Sequence, residues 1–172
     1  MLLLNSRYGS YNDILKQDQT IGDVVGKSTE MQARISQLQA KVKDIAKEIP
    51  DGQTAMYGSS RENTLDVHTQ DTFAGSLLAA LGFKVPQDGG KDIYDIDLEH
   101  VLAMNPDWMF IAHYREESVV RKWAQQPLWK ALTVTKKDQL ISVDPELWAR
   151  SRGLTAAALM VEQVKAAVEK KH

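Results

Sequence analysis

From about residue 11 to residue 47 the apolar positions recur every three or four residues, the period of an amphipathic helix. Ile14, Leu15, Ile21, Val24 and Val25 mark a first segment that starts near Tyr11 and breaks at Gly26. Met31, Ile35, Leu38, Val42 and Ile45 then trace one stripe of a longer helix, with Gln32, Arg34, Gln37, Lys41, Lys43 and Lys47 on the opposite face. Ser28 is its expected N-cap and Pro50-Asp51-Gly52 its stop. A stripe of about two heptads is too short for a coiled coil, so it is expected to pack on a sheet of the same chain. Ahead of both helices, Leu2-Leu3-Leu4 reads as the end of a strand.

After Gly52 the pattern changes to short apolar runs separated by helical periods. A strand is predicted over 54–58, followed by a polar run at 59–63. Asp71 or Thr72 caps a helix that turns Phe73, Leu77, Leu78 and Leu81 inward, and Gly82 suits its C′ position. A loop over 86–90 leads to a short helix from Asp97 through Val101, Leu102 and Met104, stopped by Asn105-Pro106. The next strand is 107–112, in which Trp108 to Ala112 form an unbroken apolar run, followed by a helix from about Glu116 through Val119, Val120 and Trp123. A third strand at 139–143 and a final helix carrying Leu154, Ala157, Ala158, Val161, Val164 and Val168 complete the chain. Strands alternating with helices predict an α/β fold, a Rossmann-like three-layer lobe with a mostly parallel sheet, preceded by the long helix.

The 172 residues are enough for one domain with a sizeable core. A net charge of −2 provides no global field for nucleic acid or anionic membranes, so an anion site has to be local. The absence of cysteine excludes a cysteine–metal site and leaves the redox compartment unread. No apolar run approaches the roughly 20 residues of a membrane span. Residues 1–4 are too short for a signal peptide, which leaves a cytosolic chain, a processed one, or one cut from something longer.

Candidate chemistry gathers where the predicted strands end. The first runs into Ser60-Arg61, the second into Tyr114-Arg115, and the third reaches Arg150 and Arg152. In a parallel sheet the carboxyl ends share one edge, where open α/β folds bind ligands. Guanidinium forks match carboxylates or phosphates bidentately, and helix amino termini add positive potential. Tyr114 and Trp148 add flat apolar surface with a polar handle. Together these predict an anion crevice, although any single arginine has a plainer fate in solvent or paired with Glu62, Glu116, Glu117 or Glu146.

Three stretches carry a family resemblance: SSRENTLDVHTQDTFAGSLLAALG, DLEHVLAMNPDWMFIAHYREESVVRKW and PLWKALTVTKKDQLISVDPELWARSRG. They resemble the iron(III) dicitrate-binding periplasmic proteins of bacterial ABC importers, in the ferric-siderophore and cobalamin class of solute-binding proteins. The resemblance spans essentially the whole chain. It implies two α/β lobes joined by one long helix, of which this chain carries the second. On that alignment 1–27 is the end of the first lobe with a lead-in helix, 28–50 the connecting helix and 51–172 the C-terminal ligand-binding lobe. The implied ligand is ferric dicitrate or a similar anionic iron chelate. Its iron is already coordinated by citrate, so no cofactor and no protein metal ligand is needed.

The resemblance assigns Arg61, Arg115, Arg150 and Arg152 to carboxylate contacts, with Gln70, Tyr114 and Trp148 in support. It also implies that Glu99 docks the inner-membrane permease, whereas position alone makes it an acid complementing a helix dipole. A periplasmic location and a monomer are implied, with dimerisation through the exposed long helix as the structural alternative. No nucleic-acid partner and no membrane insertion are expected. Two other classes compete. A direct zinc- or manganese-type binding protein would use His68 and His113. A small α/β hydrolase would start from Gly58-Ser59-Ser60-Arg61-Glu62 with one of those histidines, although no G-x-S-x-G elbow, G-x-G-x-x-G or P-loop is present.

Overall fold

The computed structural model describes residues 9–87 and 92–170. The strand end expected at 2–5 and most of the loop expected at 86–90 lie outside them. Helix α1 (Tyr11–Val24) opens with a capping box in which the Ser10 hydroxyl accepts from the Asp13 amide and the Asp13 carboxylate accepts from the Ser10 amide. Helix α2 (Ser28–Ala46) buries Ile35, Leu38, Val42 and Ile45, the stripe read from the sequence. Its N-cap is Lys27, one residue before the Ser28 expected, and no side chain caps it.

Among the described residues the sheet has five strands: β1 (Ala55–Ser60), β2 (Leu65–His68), β3 (Asp92–Ile93), β4 (Trp108–His113) and β5 (Leu140–Val143), in the order β3-β2-β1-β4-β5. β1–β4 and β4–β5 are parallel, while β1–β2 and β2–β3 are antiparallel. Four strands therefore run in one direction and β2 alone runs against them. β2 and β3 are additions to the expected set. The segment read as a polar run is a hairpin, closed where the Arg61 amide donates to the Thr64 carbonyl at 2.9 Å. Its second strand alternates buried Leu65 and Val67 with partly exposed Asp66 and His68, the period of a half-buried strand.

Helices cover both faces. On one, α1, α2, α3 (Phe73–Ala80) and α7 (Leu154–Glu169) pack on Ala55, Tyr57, Trp108, Phe110 and Ala112. On the other, α4 (Leu98–Met104), α5 (Val119–Trp123), a 3-10 turn (Pro127–Ala131) and α6 (Thr133–Lys136) pack on Met56, Met109 and Ile111. This is the three-layer α/β arrangement expected. The stripe of α2 meets α1, α3 and α7 rather than the sheet directly, within one shared core. Among the described residues no helix is long and apolar enough to cross a membrane.

Caps at Thr72 and Asp97 start α3 and α4 at the positions expected from the sequence. Gly82, at φ +98, ends the α3 turn, a conformation that a side chain would strain. The helix expected from Glu116 instead begins at Val119, because the Val119 amide is taken by the Arg61 carbonyl at 2.8 Å and residues 115–117 bridge to it as a loop.

Asp107 ties the start of β4 to that of β1. Its Oδ2 accepts from the Thr54 amide and hydroxyl, each at 3.0 Å, and its Oδ1 from Lys137 Nζ at 3.0 Å. Burial pushes its pKa up, but the Thr54 hydrogen bonds and Lys137 outweigh that and hold it below the ordinary value. The ionised form thus stabilises the fold above the ordinary carboxylate range, and this contribution is lost as pH falls through the depressed folded value. Asp107→Asn is expected to lower stability at pH 7 and to reduce the stability lost between about pH 5 and pH 2. Urea denaturation across that range measures both effects, and equal pH slopes for the two proteins would contradict the assignment.

Candidate anion-binding edge

β1 and β4 pair in parallel register, with Ser60 opposite His113, so their exits are neighbours. The Tyr114 amide donates to the Ser60 carbonyl at 3.0 Å, and the Ser60 hydroxyl accepts from the Val120 amide at 3.2 Å. His113 Nδ1 lies 2.7 Å from the Ser118 hydroxyl, closing the loop from β4 to α5. Burial, with Arg121 nearby, pushes the His113 pKa down and favours its neutral form. These bonds leave Arg61 and Tyr114 projecting side by side.

The third contribution comes after β5. A π-helical turn (Glu146–Arg150) carries Arg150, and Ser151 pins the turn by donating both its amide and its hydroxyl to the Glu146 carbonyl, each at 2.9 Å. Gly153, at φ +95, then redirects the chain into α7. The Arg61 and Arg150 guanidinium carbons stand 5.2 and 5.9 Å from the Tyr114 ring centroid. The guanidinium carbon of Arg152 stands 5.4 Å from the Phe73 ring, and its Nη1 donates to the Ala149 and Ser151 carbonyls at 3.0 and 2.7 Å. Burial lowers the Arg152 pKa, opposed by the nearby Tyr57, Tyr114 and Asp92. Arg115 comes directly after Tyr114 and is exposed.

One expected contact is placed elsewhere. Trp148 is only 1% exposed: its indole stacks on Phe110 at 5.3 Å, and its Nε1 donates to Gln163 Oε1 at 2.7 Å. It is a core pin under the Arg150 loop rather than a surface for ligand. Gln70 comes after β2, which returns along β1 so that His68 is already opposite Tyr57. Gln70 lies two residues beyond His68, with its side-chain oxygen accepting from Gln87 Nε2 at 2.9 Å. Glu99 is exposed in the first turn of α4. The bond from the Ile96 amide to the Leu65 carbonyl sets that turn beside the carboxyl end of β1, on the opposite face of the sheet from Tyr57.

The hairpin also builds a polar chain that was not expected from the sequence. Ser59 Oγ lies 2.9 Å from His68 Nε2, and His68 Nδ1 lies 2.7 Å from Asp92 Oδ1. The His68 ring stacks on Tyr57 at 4.6 Å. The phenol of Tyr57 is pushed well above its ordinary pKa by burial. Serine, histidine and aspartate in this order match a nucleophile, base and orienting acid. Ser59, however, is 3% exposed within a regular strand, with no sharp turn to present its oxygen. The chain thus reads as a cross-strand ladder joining β1, β2 and β3. The signal for it was the alternation Leu65-Asp66-Val67-His68, which puts both polar side chains on one face.

Metal chemistry finds little support. His68 pairs opposite Tyr57, on the face covered by α3 and α7, whereas His113 pairs with Ser60 and bonds Ser118, on the α5 face. Among the described residues no group of three His, Asp or Glu side chains is placed to hold a metal ion.

Three arginine-bearing exits at one edge of a parallel-cored three-layer lobe form a candidate anion site. Residues 4–147 match the family model for periplasmic binding proteins, and the chain belongs to that family. It is 46% identical over 158 residues to the Fe(3+) dicitrate-binding periplasmic protein FecB of Escherichia coli K12, covering 91% of this chain and 53% of that protein. It is 25% identical over 163 residues to the Fe(3+)-citrate-binding protein YfmC of Bacillus subtilis 168, covering 94% and 52%. The chain thus spans about half the length of these relatives. Among solved structures, Staphylococcus aureus SirA superposes with a TM-score of 0.78 at 18% identity, covering 96% of this chain and 66% of that one. The petrobactin-binding protein YclQ of Bacillus subtilis superposes with a TM-score of 0.79 at 16% identity, covering 94% and 62%. At these identities the likeness is one of fold.

Removing the Trp148 pin tests the placement of that loop. Trp148→Ala is expected to cost about 3–5 kcal/mol of stability, the range for deleting a buried aromatic, measured by urea denaturation. A loss under about 1 kcal/mol would show that the indole is not a core element.

Proposed function

We propose that this chain carries one half of the ligand cleft of a substrate-binding component of an ABC importer for iron, and that its ligand is ferric dicitrate or a related anionic iron chelate. The observation that carries the reading is the convergence of Arg61 and Arg150 on Tyr114, with Arg115 and Arg152 on the same exits. The names of FecB and YfmC, both citrate-linked iron binders, support the choice of ligand. Ferric dicitrate offers several ionised carboxylates to such an edge, and its iron needs no protein ligand. The chain is accordingly read as having no cofactor and no enzymatic activity.

In this reading 28–50 connects to a first lobe that supplies the other half of the cleft, 1–27 leads into it, and 51–172 is the binding lobe. Coverage of only 53% of FecB supports that division. One lobe alone leaves the ligand open to water, so it binds more weakly than two that close on it. The protein works in the periplasm as a monomer and docks its permease through Glu99, whose exposure leaves it available.

Calorimetric titration with ferric citrate, of this chain and of a two-lobed protein containing it, tests the reading. Arg115→Ala is expected to weaken binding about ten-fold or more, since a charged hydrogen bond contributes about 1.5–3 kcal/mol, whereas Lys130→Ala leaves it unchanged. Equal affinities for the two variants would refute the role of Arg115. Glu99→Arg in the two-lobed protein is expected to keep ligand affinity and abolish uptake in an iron-transport assay, and normal uptake would refute the docking role.

A further inference from the structure

We propose that Asp66 and Glu146 set the selectivity of the arginine edge as resident carboxylates, each paired with an arginine that a ligand carboxylate would take. The site then admits polycarboxylates by exchange of ion pairs. The inference rests on the reading of this edge as a carboxylate site.

The two arginines nearest Tyr114 are both occupied. Arg61 Nη1 is bonded to Asp66 Oδ2, and Arg150 Nη1 to Glu146 Oε1 at 2.6 Å. Each acid comes from the same local structure as its arginine: Asp66 lies across the hairpin from Ser59, and Glu146 one π-turn before Arg150. Each guanidinium is therefore engaged by an acid of its own local structure through one Nη1 contact. A ligand bringing a single carboxylate makes one ion pair and breaks one, with little net gain. A ligand bringing two or more also exchanges one pair per arginine, but once its first carboxylate is seated the second exchange is intramolecular, so the loss of translational freedom is met once. This favours a polycarboxylate chelate over a monocarboxylate.

The residents differ in how readily they leave. Both Glu146 and Arg150 are well exposed, with side chains 67% and 63% accessible, so water replaces their contact easily. The Asp66 side chain is 13% accessible and accepts from the Asp95 amide at 3.1 Å through its other oxygen. Exchange is easy at Arg150 and more costly at Arg61, where the displaced carboxylate keeps one backbone donor.

Glu146→Gln keeps shape and removes charge, and Asp66→Asn does the same while retaining an acceptor for the Asp95 amide. In calorimetry with ferric citrate, each is expected to tighten binding about three-fold and the pair about ten-fold, the scale of exposed ion pairs. Acetate should gain far less. Glu169→Gln, at the end of α7, changes net charge equally and is expected to have no effect. In an Arg150→Ala background the gain from Glu146→Gln should vanish. Thermal unfolding of each variant confirms that the fold is retained. No tightening, an equal gain from Glu169→Gln, or a gain that persists without Arg150 would each overturn the proposal. If Arg150→Ala weakens binding and Glu146→Gln does not tighten it, only the resident-carboxylate inference fails. If Arg150→Ala binds like the parent, the carboxylate-site reading fails and takes the inference with it.

Discussion

The parallel pairing of β1 with β4 is the constraint on which the rest depends. Six aligned positions from Ala55–Trp108 to Ser60–His113 bring two chain exits to the same level. The backbone then continues the pairing beyond the strands, through Tyr114 to Ser60 and Val119 to Arg61. A one-residue slip of β4 would turn Trp108, Phe110 and Ala112 away from the α3–α7 side, because side chains alternate between faces. Register and core composition therefore specify each other, and the edge inherits its geometry from both.

Given that frame, the third exit is held by burial rather than by pairing. β5 contributes only Leu140–Val143, and the chain then passes into a short π-turn. Trp148 supplies the missing anchor. It stacks on Phe110 and tilts onto Tyr57 at 5.2 Å, so the arginine loop rests on the same aromatic layer as the two strands beneath it. The residue expected to touch ligand instead fixes the residues that would.

Much of this was legible in the residue pattern. The four-three stepping of α2, the caps at Thr72 and Asp97, and the apolar run of β4 each reflect a local preference strong enough to survive tertiary context. The hairpin was not read, because β2 is four residues long and its alternation is brief beside the polar loop before it. Missing it left unread that His68 returns opposite Tyr57, with Gln70 two residues beyond it. Trp148 misled for a different reason. An indole beside two arginines looks like a binding surface in one dimension, and only packing decides which way the ring points.

By itself the sequence determined the α/β class, the helix boundaries with strong caps, and the set of arginines after the strands, because these rest on period, propensity and residue order. The tertiary structure alone decided which side chains meet: Arg61 and Arg150 on one tyrosine, Asp66 with Arg61 and Glu146 with Arg150, Ser59, His68 and Asp92 in a ladder, and His68 and His113 on opposite faces. Those meetings depend on strand order and direction. Both are settled by how much apolar surface the whole chain can bury at once, which no short stretch records.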